Sequence, residues 1–268
     1  MIISKTPYRV SFFGGGTDYP HWFKKYGGKV ISTSINKHVY ITFRHLPNFF
    51  SHKYRIVWSI IEKKKNINSI QHKVLKNLLK SMKINHGLEI HYDGDLPAMS
   101  GMGSSSSFVV GLINTIMEYN KVKITSKELA KRAIRFEQVN LKEVVGSQDQ
   151  IACAVGGFNK ITFNKNGNFS VKNLSNQKTK KLNNNFLLVY SSIRRNASSI
   201  ASKYAGQLSS SKKKYMDKIV EYSNLAEDYL LKENYEDFGN LIGRTWQLKK
   251  KLNSCVTNKK IEQLYDYC

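Results

Sequence analysis

Cysteine, proline and acidic residues are all scarce in this chain. Its 268 residues include three cysteines and four prolines. Cys153, Cys255 and Cys268 lie far apart with no CxxC pair, which argues against a disulfide framework or a zinc site and fits a reducing cytoplasm. No apolar run approaches the ~20 residues needed to span a bilayer. The longest, around 108–117, is interrupted by Gly111 and Asn114. The N-terminus has no secretory pattern, because Pro7, Arg9 and a triple glycine at 14–16 arrive too early.

Nineteen acidic residues face 43 lysines and arginines, for a net charge of +24. The lysine runs 63–65, 212–214 and 249–251 are far apart, and no aromatic–basic repeat joins them. The excess therefore reads as solvated faces rather than a nucleic-acid surface. It still favours an anionic small-molecule substrate. With 41% hydrophobic and 23% charged residues, the composition is that of a globular protein.

Alternation of apolar and polar residues predicts strands at 8–13, a pair within 29–43, and strands at 54–61 and 88–93. A hairpin is predicted from 158–163 and 169–174 around Asn166-Gly167, and a buried strand at 186–190. Helical spacing predicts 70–82, 104–119, 150–155, 209–231, 235–252 and 258–268. Thr125 with Glu128 is a capping box that starts a helix running to about 139. The polar, Asn- and Lys-rich stretch 164–185 suggests a boundary, giving domains 1–170 and 171–268.

The segment 96–107, Leu-Pro-Ala-Met-Ser-Gly-Met-Gly-Ser-Ser-Ser-Ser, follows a predicted strand and opens a predicted helix. Its glycines permit a tight turn, and the serines bring hydroxyls and N–H groups to a helix start, where polyphosphate binds well. It is neither a Walker A loop nor a complete G-x-G-x-x-G. Taken alone, it is equally well a Ser-rich first turn of an ordinary helix.

Two further blocks change that balance: Thr6-Pro-Tyr-Arg-Val-Ser-Phe-Phe-Gly-Gly-Gly-Thr-Asp18, and Gly146-Ser-Gln-Asp-Gln150 with Gly156-Gly157-Phe158. In this order, and across nearly the whole chain, the three blocks resemble the GHMP kinase superfamily. They are most similar to its sugar-kinase branch that acts on D-glycero-D-manno-heptose 7-phosphate. The resemblance implies an α+β fold in two lobes. The N-terminal lobe would contain a left-handed β-α-β unit. The C-terminal lobe would be ferredoxin-like and here incomplete, since the family's Gly-x-Gly-Gly-Gly motif does not occur after Gly157. The active site would lie in the cleft between the lobes.

The resemblance also implies roles for individual residues. Pro97, Ser100, Gly101, Met102, Gly103, Ser104, Ser105, Ser106 and Ser107 would hold ATP. Ser105 and Glu137 would ligate Mg²⁺, and Asp149 would be the catalytic base with Arg9 beside it. Gly15, Gly16, Thr17 and Asp18 would bind the sugar. Arg194 and Arg195 are candidates for a second anion site, because guanidinium suits phosphate. Each residue also has a plainer reading: Glu137 as a solvated carboxylate, Asp149 as a helix cap, Asp18 as a turn residue, Arg9 as a strand-edge arginine, and Arg194 and Arg195 as an exposed pair. The expected reaction is transfer from ATP to the anomeric hydroxyl of the heptose 7-phosphate, supplying surface-glycan precursors. No nucleic-acid or membrane partner is expected. A kinase for an unphosphorylated sugar such as galactose or fucose, or a silent binding protein of the same fold, remains open here.

Overall fold

The structure, a computed structural model, describes residues 1–174, 177–194, 197–202 and 205–267. The elements run in the order β1 (Ile2–Phe13), α1 (Pro20–Tyr26), β2 (Gly28–His45), β3 (Tyr54–Val57), β4 (Ile61–Lys64), α2 (Lys73–Ser81), β5 (Leu88–Gly94), α3 (Ser104–Tyr119) and α4 (Ser126–Arg135). A π-turn, Phe136–Asn140, extends α4 and is followed by α5 (Gln148–Val155), β6 (Phe158–Phe163) and β7 (Phe169–Asn173). Then come α6 (Gln177–Leu182), α7 (Ala197–Ser202), α8 (Lys213–Leu231), α9 (Tyr235–Leu252) and α10 (Lys259–Tyr267). No helix among the described residues is long and apolar enough to cross a membrane.

The chain forms two compact units, each made of three segments. The first comprises Met1–Tyr8, Ile35–Glu143 and Asp149–Val155. The second comprises Arg9–Ser34, Val144–Gln148 and the chain from Gly156 onward. The expected boundary at 170/171 falls inside β7.

In the first unit, the later part of β2 pairs antiparallel with β5, from Val39↔Gly94 to His45↔Leu88. β5 pairs parallel with β3, and β3 pairs antiparallel with β4. One sheet face carries Ile41, Phe43, Ile56 and Ile90 into a core with Leu75, Leu78 and Leu79 of α2 and with Val109, Leu112, Ile113 and Ile116 of α3. Gly111 permits close packing of α3, since a Cβ there would meet Thr6 Oγ1 at 2.6 Å. On the opposite sheet face, Glu89 is buried and accepts hydrogen bonds from Arg44 and Arg55, with His91 at 2.8 Å. Burial alone would raise its pKa, but the hydrogen bonds from His91, Arg44 and Arg55 outweigh it and hold the carboxyl at about 2.

In the second unit, the first part of β2 pairs antiparallel with β6, from Gly28↔Phe163 to Thr33↔Phe158, and β6 pairs with β7. Phe13, Ile31 and Phe158 pack with Ala226 and Leu230 of α8 and with Phe238 and Leu241 of α9.

The predicted α+β class holds, and the helix predicted at 104–119 matches α3. Several local expectations are corrected. Residues 29–43 are part of one strand rather than two, because no glycine or proline interrupts that stretch. The 54–61 strand ends at Val57, where Trp58 N donates to Ile60 O at 3.0 Å and closes a hairpin. The helix predicted at 70–82 starts late, at Lys73, where His72 caps it by accepting from Leu75 N. Residues 186–190 do not form a buried strand. Among the described residues no strand pairs with them, and Leu187 is 86% exposed. Phe186 anchors the segment, with its ring 5.1 Å from that of Phe12.

Candidate functional site

The residues singled out in the sequence divide between the two units. In the first unit, Tyr8 anchors the start of the 96–107 loop by donating its hydroxyl to Leu96 O at 3.1 Å. Met99, Gly101 and Gly103 all have positive φ, at 61°, 81° and 77°. This left-handed backbone wraps the loop tightly before α3, and Gly103 is the N-cap. A Cβ on Gly101 would meet nothing within 4 Å, so the loop surface is open there. Ser100 Oγ is buried with no hydrogen-bond partner among the described residues.

The first intrahelical bond of α3 runs from Ser107 N to Gly103 O at 2.8 Å. The N–H groups of Ser104, Ser105 and Ser106 therefore have no acceptor within the helix. No acidic residue sits in that first turn to oppose an anion. Ser107 is turned inward and donates to Pro7 O at 2.9 Å. Ser104 Oγ accepts from Met99 N at 3.2 Å, which braces the loop, while Ser105 is exposed.

Glu137 lies in the π-turn and is 1% exposed. Its carboxylate accepts from Ser106 Oγ at 3.0 Å and from Gln150 Nε2. The solvated reading of Glu137 is thus corrected: the wide turn rotates its side chain inward. Burial drives its pKa up to about 7, against the bonds from Gln150 and Ser106, and the nearby charges of Asp149 and Glu143 push it the same way. Gln150 Oε1 is buried beside it without a hydrogen-bond partner among the described residues. Asp149, half-buried, stands in the first turn of α5. The structure thus brings together Ser106, Glu137, Asp149 and Gln150. The hydroxyl bonded to Glu137 belongs to Ser106, one residue beyond the serine expected to share the metal with it.

In the second unit, the glycine turn is held from within. A Cβ on Gly14 would collide with Lys29 O at 1.8 Å, so only glycine fits. Thr17 is fully buried; its hydroxyl lies 2.8 Å from Gly14 O and accepts from Lys29 N at 3.1 Å. Asp18 is 1% exposed and accepts from Gly16 N at 3.0 Å and from Gln148 N at 3.2 Å. Gly146 must be glycine because a Cβ would overlap Asp18 Oδ2 at 1.8 Å. Asp18 and Thr17 therefore shape the turn, and the Gly146-Ser147-Gln148 segment is pinned to it. Ser11 donates to Gln148 Oε1 at 2.6 Å, and Arg9, two residues earlier on β1, shares its strand face. Arg194 is exposed, and Arg195 lies outside the described residues.

Residues 68–157, which contain the loop, α3, Glu137 and Asp149, match the family described as GHMP kinases N terminal domain. The chain has the GHMP kinase fold. It is 27% identical over 279 residues to the D-glycero-alpha-D-manno-heptose 7-phosphate kinase of Campylobacter jejuni, an alignment covering 98% of this chain and 81% of that protein. The crystal structure of a D-glycero-D-manno-heptose 1-phosphate kinase from Bacteroides thetaiotaomicron superposes with a TM-score of 0.74 at 23% identity, over 94% of this chain and 80% of that one. The phosphomevalonate kinase of Streptococcus pneumoniae, in complex with phosphomevalonate and AMPPNP, superposes with a TM-score of 0.68 at 12% identity, over 95% and 81%. Sequence reasoning passed over Ser106 as a partner of Glu137, and also Gln148 and Gln150. The two glutamines flank Asp149 in the Gln-Asp-Gln block, the one local signal that pointed to them.

Proposed function

We propose that this GHMP-fold protein is an ATP-dependent kinase that phosphorylates the anomeric hydroxyl of D-glycero-D-manno-heptose 7-phosphate. The observation that carries the reading is the start of α3. An open glycine loop, with the buried hydroxyl of Ser100 in it, leads into three N–H groups without intrahelical acceptors, in a first turn that itself carries no acidic residue. That is a cradle for polyphosphate. The heptose specificity rests on the similarity to the Campylobacter kinase along 98% of the chain.

Glu137 and its neighbours also suit a divalent cation. The carboxyl is buried among neutral partners, Ser106 and Gln150, and an adjacent amide oxygen has no hydrogen-bond partner among the described residues. Mg²⁺ takes few protein oxygens beside phosphates and water, so one carboxylate with a serine hydroxyl is an adequate set. Ser105, exposed at the helix start, is the second hydroxyl within the same turn. When bound, the metal neutralises phosphate charge.

Asp149 accepts the proton of the attacking hydroxyl as the phosphoryl group moves to the sugar oxygen and ADP leaves. Arg9 supplies positive charge to the same step. The anomeric hydroxyl is more acidic than other sugar hydroxyls and asks little of its base. Gly15 and Gly16 present backbone to the sugar, and Thr17 and Asp18 fix that backbone.

ADP release with Mg-ATP across heptose 7-phosphate, free heptose, galactose and fucose tests the reading, with Asp149→Ala as the blank. Turnover confined to heptose 7-phosphate supports it. Turnover of free galactose or fucose instead would replace it with the unphosphorylated-sugar kinase. Silence on all four, with ATP bound normally, would favour a catalytically silent binding protein.

A further inference from the structure

The glycine turn of the second unit carries a cation that the proposed reaction leaves without a task. A Cβ built on Gly15 would sit 3.3 Å from Lys249 Nζ, 3.8 Å from its Cε and 3.6 Å from Gln148 Nε2. The ammonium, brought by the last turn of α9, therefore lies against the bare backbone of the turn. The amide beside it is fixed in orientation, because Gln148 Oε1 accepts from Ser11 and its backbone N–H donates to Asp18. This leaves Nε2 as the group directed toward Gly15.

Gly15 differs from its neighbours. Gly14 and Gly16 have φ values of 83° and 106°, whereas Gly15 is not among the positive-φ glycines. A Cβ on Gly15 would also strike no backbone atom, unlike one on Gly14. Neither backbone conformation nor close chain packing calls for glycine at this position. What the missing side chain permits is the close approach of an ammonium and an amide donor to the backbone of the turn.

We propose that Lys249 and Gln148 Nε2 receive the phosphate that the sugar already carries, over the face of Gly15. The inference rests on the sugar-phosphate reading and names the residue that selects a phosphorylated substrate. A lysine ammonium offers three donors on a compact charge, which suits a phosphate and gives little to a neutral sugar.

Calorimetric titration without ATP tests it, using heptose 7-phosphate and free heptose against the wild type, Lys249→Ala, Lys249→Arg and Gly15→Ala. Loss of one charge-assisted hydrogen bond weakens binding about 10- to 100-fold. Lys249→Ala is expected to weaken heptose 7-phosphate by that factor and leave free heptose unchanged, and Lys249→Arg to recover most of the loss. Gly15→Ala brings a methyl to 3.3 Å from Lys249 Nζ without backbone strain and should weaken the phosphorylated sugar more than the free one. Equal weakening of both sugars by Lys249→Ala would overturn the proposal, as would unchanged affinity with a lowered kcat. Wild type that binds heptose 7-phosphate without dependence on Lys249 removes only this inference. Wild type that binds no heptose 7-phosphate removes this inference and the substrate reading together. Binding through Lys249 without turnover keeps the inference and removes the kinase.

Discussion

Replacing Glu137 by glutamine should stabilise the protein at alkaline pH while weakening its metal dependence. The folded carboxyl titrates at about 7 against an ordinary 4.5. Between those values the folded state holds a proton that the unfolded state has released. Stability from this group is therefore complete below 4.5 and is lost as pH rises through 7. A difference of about two and a half pKa units corresponds to about 3 kcal/mol. Glutamine preserves the shape and the bonds to Ser106 and Gln150 but never ionises, so the variant is free of this penalty. Urea denaturation at pH 5, 6, 7, 8 and 9 without metal should show a gap between variant and wild type that grows with pH and saturates near 3 kcal/mol in the variant's favour by pH 8. Mg²⁺ needs the ionised carboxylate, so it should narrow the gap by stabilising the wild type alone. Its affinity for the wild type should fall about tenfold per pH unit below 7. A gap that does not change with pH, or a variant less stable than wild type at pH 8, would refute the argument that burial among neutral partners controls this carboxyl.

Other expectations follow from contacts at and around the site. Gly146→Ala places a methyl 1.8 Å from Asp18 Oδ2, so thermal melting should fall steeply and soluble yield drop; a melting point near that of wild type would mean Asp18 is not held there. Ser106→Ala removes the hydroxyl 3.0 Å from Glu137 and should raise the Mg²⁺ concentration needed for half-maximal ADP release more than Ser105→Ala does, with the reverse order returning the role to Ser105. Glu89 is held at about 2, so its stabilisation is present above 4.5 and lost as pH falls toward 2. Glu89→Gln should therefore lower stability at pH 7 and lose that deficit in acid, which denaturation at pH 7 and pH 3 would check.

The legible parts of the fold were those with local signals. Thr125 and Glu128 announced α4, and Thr125 caps it as expected, accepting from Glu128 N at 3.2 Å. Gly156 and Gly157 stopped α5 with positive φ, and Asn166-Gly167 turned the β6–β7 hairpin. What escaped depends on register or on distant chain. Four consecutive serines are alike in sequence, and only the phase of α3 decides that Ser106 meets Glu137 while Ser105 faces out. A π-turn shifts the helical phase by one residue, and no local signal in the sequence marks that shift at Glu137. Lys249 reaches Gly15 from the far end of the chain, and nothing near either residue announces the pairing. The apolar run at 186–190 shows the converse, since a strand-like composition gives no strand where, among the described residues, no partner strand meets it.

The way the chain is divided between its two units has a consequence during synthesis. Residues 28–33 of β2 pair with β6, which begins only at Phe158. The segment between them, 35–143, belongs largely to the other unit. A ribosome adding about 5–20 residues per second needs on the order of ten seconds to cover that distance. Throughout that interval the first stretch of β2, with the buried Val30 and Ile31, waits without its β6 partner. Neither unit can be made as a single contiguous fragment. The nascent chain instead carries an open strand edge through that interval, so its yield should depend on chaperone supply and elongation speed more than the stability of the finished fold suggests.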